Sequence, residues 1–173
     1  MIKELLFKKK APQAARPQDL AALEAKLGVR FPPAFVEFCC RWNGGFPANT
    51  NNFYPVPGTF TEFHDEYKKS KGIIADMLFG ATDEFPQCSL NRECTRVLGE
   101  FSKLIIPVTA DLFGNHAVLR ADSPMGMVYW SDHELWEVPE NPPPGPNFAE
   151  RPRLIPIAPD LETFYNSLLA DIK

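Results

Sequence analysis

The 173 residues carry 18 Lys and Arg against 22 Asp and Glu, a net charge of −4. The basic surplus of a general nucleic-acid binder is therefore missing. With 45% hydrophobic and 23% charged residues the chain is composed like an ordinary globular protein, long enough to build one core without a metal or disulfide staple.

Met1 to Lys10 sets Lys3, Lys8, Lys9 and Lys10 around Ile2, Leu5, Leu6 and Phe7. This apolar run is too short and interrupted for a signal peptide, and residues 1–16 are expected to form a basic tail. Pro17–Leu27 reads as a first helix: Leu20, Leu23 and Leu27 share a face, and Gly28 stops it. The segment from Phe31 to Gly45 is a second helix with both ends written in. Pro32 and Pro33 suit its start, and Phe35, Phe38, Cys39 and Trp42 fall on one stripe. Asn43, Gly44 and Gly45 tolerate the left-handed backbone that closes a helix.

Phe53–Val56 is expected as an edge strand because Pro55 cannot complete a central ladder. Thr61–Lys71 is polar enough for a solvated helix or loop, and Ile73–Phe79 reads as a strand ended by Gly80. Leu90, Cys94, Val97, Leu98 and Phe101 predict a third helix over Ser89–Phe101. Three short strands follow at Leu104–Val108, His116–Arg120 and Met127–Trp130. The intervening turns, Asp111–Asn115 and Asp122–Gly126, are short enough for antiparallel neighbours. The chain holds 18 prolines, about twice the ordinary share. Residues 139–153 are rich in them and are expected to run over the surface as an extended, stiff loop. Leu154–Ala158 returns as a strand. The last helix carries Leu161, Phe164, Tyr165, Leu168, Leu169 and Ile172 on one face behind an Asp160 cap. The expected fold is α+β, a single domain over residues 1–173, with a mostly antiparallel sheet flanked by the N-terminal helices and the C-terminal helix.

The order of these segments carries a resemblance. A helix ending in Trp42-Asn43-Gly44-Gly45 is followed by Leu104-Ile105-Ile106-Pro107-Val108. Then come the Gly114-Asn115 turn, the strand at Ala117–Arg120, and Gly126-Met127-Val128-Tyr129 with Asp132-His133-Glu134 close behind. Over roughly residues 17–172 this is similar to the SUKH superfamily, in the branch related to fungal Smi/Knr cell-wall assembly regulators. The resemblance implies a bacterial, non-enzymatic immunity protein that binds a cognate protein toxin, often a nuclease, and neutralises it by occlusion. The second reading is an intracellular regulatory or scaffold protein like the fungal members of the family, and a small-molecule-binding domain or hydrolase is a third.

The residues themselves offer little catalytic apparatus. Successive side chains of an extended Asp132-His133-Glu134 point to opposite faces, so the string reads as a strand end. His64-Asp65-Glu66 lies in a solvated stretch, His116 opens a strand, and no zinc helix, serine elbow or phosphate loop is present. No metal or cofactor is expected. The four cysteines match no zinc or redox spacing and read as buried free thiols in a reducing cytoplasm. No membrane span and no direct nucleic-acid contact are expected. The first choice for partner contact is the face made by Asp111, Phe113 and Asn115 with Asp132, His133, Glu134 and Trp136, where turn residues, acids and aromatics gather. Trp136 between acids suits either a binding hot spot or the closing edge of the core.

Overall fold

A computed structural model describes residues 7, 8, 10–48, 75–95, 105–122, 126–131 and 154–168. Its centre is a five-stranded sheet in sequential order, with every neighbouring pair antiparallel. The strands are β1 (Met77–Leu78), β2 (Ile105–Ala110), β3 (His116–Arg120), β4 (Val128–Ser131) and β5 (Leu154–Ala158). Helices α1 (Pro17–Leu27) and α2 (Pro33–Arg41) precede it, a short α3 (Leu90–Glu93) follows β1, and α4 (Leu161–Leu168) closes the described chain. The α+β expectation is met.

Both ends of α1 and the start of α4 have a local cause. Pro17 opens α1, Asp19 accepts the Arg16 backbone N–H, and the Gly28 and Val29 N–H groups both return to the Glu24 carbonyl. The Arg16 guanidinium also hydrogen-bonds Asp19, holding that carboxyl below its usual range. In α4 the expected cap is present: Asp160 Oδ1 accepts the Thr163 N–H at 2.7 Å. The apolar stripes of α2 and α4 meet, with the Phe38 and Tyr165 rings stacked at 4.3 Å and Phe38 also 5.3 Å from the Trp42 ring.

Two prolines inside strands are accommodated differently. Pro107 lies in central β2, where the register against β3 shifts between Pro107 and Thr109. This bulge suits a residue with no N–H to give. Pro156 lies in β5, at the edge of the sheet. Alternation along β4 buries Trp130 in the main core. It turns half-buried Tyr129 to the opposite face, onto Ile105, Val118 and Leu154.

Strand β1 is shorter than its apolar run predicts: Met77 and Leu78 form its ladder with β2, flanked by single backbone hydrogen bonds from the Asp76 N–H to Ala110 and from the Phe79 N–H to Val108. Residues 73–74 lie outside the described residues, as do the expected edge strand at 53–56, the stretch 61–71 and the proline-rich loop. Helix α3 starts at Leu90, one residue later than expected, with Ser89 as its cap, the Ser89 hydroxyl accepting the Arg92 N–H. It is described only as far as Thr95. Within the segment expected to be a tail, Pro12 and Ala15 are buried, and the Ala15 N–H reaches the Cys39 carbonyl.

All four cysteines are free. Cys39, Cys88 and Cys94 are buried, and burial pushes the Cys88 thiol up to about 11, Cys94 to about 12 and Cys39 higher still. Cys40 is half-buried on the outer side of α2. Thiolate, the reactive form, is therefore scarce at three sites. A disulfide reagent at pH 8 should label Cys40 first in the native protein and all four thiols after unfolding. Equally fast labelling of Cys39 would contradict the packing of α2.

Candidate protein-binding surface

The Asn-Gly-Gly turn after α2 is more than a helix stop. Asn43, Gly44 and Gly45 all have positive φ, at 41°, 85° and 112°. Gly45 then pairs with Leu78 through two backbone hydrogen bonds of 2.8 and 3.0 Å, so the turn is bonded to the sheet edge at β1. Gly80 lies directly beneath it. A Cβ on Gly80 would sit 2.3 Å from the Asn43 carbonyl carbon and 2.6 Å from the Gly44 nitrogen. The motif is a backbone-to-backbone lock, and its third glycine, at position 80, lies in a different segment. Trp42 is buried at its base, with the Arg41 guanidinium 4.3 Å over its ring.

The β2–β3 turn is braced from within. Asp111 Oδ1 accepts the backbone N–H groups of Phe113 and Asn115, and Asp111 Oδ2 accepts the Asn115 side-chain amide. The Leu112 N–H donates across to Asp76. Asp111 and Asn115 are thus buried and engaged within the turn. What they present is Leu112 and Phe113, 77% and 76% exposed, the only large hydrophobic side chains so exposed among the described residues. Sequence reading chose Phe113 but passed over Leu112. The signal available was an Asp-x-x-x-Asn turn, whose polar ends fold inward onto backbone N–H groups and leave its centre outside.

Behind the turn, His116 Nε2 lies 2.6 Å from Glu93 Oε1, both side chains largely buried, with the Phe79 ring stacked on the imidazole. The pair ties the start of β3 to α3, a link that sequence reading missed. Asp132, His133, Glu134 and Trp136 lie outside the described residues. Their predecessor Ser131 is paired with His116, so β4 ends on the side of the sheet that carries the braced turn. Among the described residues no three His, Cys, Asp or Glu side chains gather as a metal would require, and no helix is long and apolar enough to cross a membrane.

A helix pair locked by an Asn-Gly-Gly turn to a sequential antiparallel sheet, closed by a C-terminal helix, makes a small α+β domain. The chain belongs to the SMI1 / KNR4 family (SUKH-1), whose sequence pattern matches residues 14–167. That family includes immunity proteins and cell-wall regulators. Neither the curated proteins nor the solved structures provide a match to the chain.

Proposed function

We propose that this chain is an immunity protein that binds one cognate protein toxin and blocks it by occlusion, performing no reaction of its own. The observation that carries the reading is the braced turn. Two large apolar side chains stand in solvent on a loop held by three hydrogen bonds to the Asp111 carboxylate within Asp111–Asn115 and a fourth from the Leu112 N–H to Asp76. A preorganised apolar tip loses little conformational freedom on docking, which is what a binding hot spot requires. The mild acidic surplus favours encounter with a basic toxin surface. We place Phe113 and Leu112 at the centre of the contact, with His133, Glu134 and Trp136 as further contributors.

Co-expression with the toxin domains encoded beside the gene should restore growth, and the purified pair should form a complex. Phe113→Ala should weaken that complex by about 2 kcal/mol, roughly thirtyfold, while the thermal transition hardly moves, because no buried contact is lost. Trp136→Ala tests the second part of the surface in the same assay. Added salt should slow association more than it speeds dissociation. Unchanged survival, with no complex at micromolar concentration, would sink the immunity reading for those toxins. It would favour a regulatory or scaffold role, which membership of a family containing cell-wall regulators also supports.

A further inference from the structure

A second concave site lies away from the chemistry considered so far. Between Gln13–Asp19, leading into α1, and Ala81–Glu84, after β1, there is an open cleft of about 460 Å³, within the size range of small-ligand sites. Its shape is set by one residue's backbone. The Gln13 carbonyl accepts the Asn43 side-chain amide at 2.8 Å, and the Gln13 N–H donates to Glu84 Oε1 at 3.0 Å, so the wall from α1 is tied to both the base and the opposite wall. Its two deepest polar residues, Asn43 and Thr82, are each 5% exposed.

Asn43 is the informative one. Its Nδ2 is committed to Gln13, which fixes the orientation of the amide. Its Oδ1 is buried with no hydrogen-bond partner among the described residues. Leaving such an acceptor unmet costs about 1–3 kcal/mol; the atom is covered, so a donor in the cleft gains that reward by displacing the lining enough to reach it. The rim supplies matching charge. Asp19 is occupied by Arg16 and Glu84 by Gln13, but Asp83 is exposed and makes no hydrogen bond or ion pair among the described residues. An adjoining hollow of about 210 Å³ shares Asp19, Ala81 and Asp83. It adds Asn91, whose Oδ1 is likewise buried and unmet among the described residues. Over both hollows the carboxylates of Asp19, Asp83 and Glu84 outnumber the cations of Arg16 and Lys26, and with the unmet acceptors this favours a ligand that is rich in donors and positively charged.

We propose that this cleft binds a small organic cation, a guanidinium or primary ammonium group, with Asp83 at the rim and Asn43 at the base as its acceptors. The site is separate from the Leu112–Phe113 tip, and it stands or falls independently of toxin binding.

The test is an NMR titration of the full chain with two probes, agmatine and N-acetyl-arginine-amide. Agmatine should shift the Asn43 side-chain amide and the backbone amides of Ala81–Glu84 saturably. Asp83→Asn should weaken that binding about tenfold, as should filling the cleft from its exposed wall with Ala14→Trp. Both variants change exposed side chains, and far-UV circular dichroism checks their folding. Saturable binding of both probes supports the site and shows that a single arginine-like group, such as a peptide side chain, suffices. Binding of agmatine alone supports it and restricts the ligand to a free cation that carries a primary ammonium beside the guanidinium. Absence of saturable shifts, shifts scattered over the surface, or binding indifferent to both variants overturns the proposal.

Discussion

Gly80→Ala is expected to lower the unfolding free energy by at least about 3 kcal/mol, more than a methyl group normally does. The added Cβ would meet the Asn43 carbonyl carbon at 2.3 Å, its oxygen at 2.4 Å and the Gly44 nitrogen at 2.6 Å. All three are backbone atoms, and they cannot swing aside as a side chain would. The Asn43-Gly44 turn cannot retreat cheaply either, because Gly45 is bonded at both backbone groups to Leu78. On the other side, Gly80 is held by its own bonds to Cys88 and Leu90. The substitution therefore forces α2 away from the sheet edge or breaks that pairing. Gly28→Ala is the control. Gly28 has a left-handed φ of 68° but nothing within 4 Å of a Cβ, so only backbone strain of about 1 kcal/mol is at stake. Urea denaturation of the two variants separates the cases. A Gly80→Ala loss no larger than that of Gly28→Ala would show that the lock does not hold.

Trp42→Ala should cost about 3–5 kcal/mol through lost burial and the cavity left behind. The indole is 6% exposed, packs on Phe38 and lies under the Arg41 guanidinium. Through Phe38 the loss reaches Tyr165, whose ring is stacked on the same phenyl group. The damage should therefore include the contact between α2 and α4, and Trp42→Ala and Tyr165→Phe should combine additively only if the stack is left undisturbed. A denaturation curve showing less than about 1 kcal/mol for Trp42→Ala would mean that α2 does not pack as described. Trp42→Phe, which keeps most of the apolar area, should recover a large part of the stability.

The candidate surface was half legible beforehand. Asp111-Leu112-Phe113-Gly114-Asn115 announces a turn through its composition, and the strands on either side are short and apolar. Which of its residues face solvent was not legible. Asp111 and Asn115 look like surface polar groups by type, yet the turn draws both inward to satisfy its own N–H groups. Leu112 looks like a core residue by type and stands in solvent.

What the sequence by itself determined was everything governed by neighbours within about one turn or one strand. The stripes of α1 and α2, the left-handed backbone at Asn43–Gly45, the Asp160 cap and the residue bounds of β3 and β5 all follow from local periodicity and local capping chemistry. Only the tertiary structure decided what those pieces meet. That Gly80 must be glycine depends on a turn 35 or more positions earlier, and the partner of His116 lies 23 positions back, on α3. The extent of β1 is set by its ladder with β2 at Met77 and Leu78 and one flanking backbone bond on each side, whatever the apolar run suggests. A hydrophobic pattern reports which face of an element is buried. The close approach of two backbones and the choice of which side chain is left in water are set by segments distant in sequence, and no local pattern encodes them.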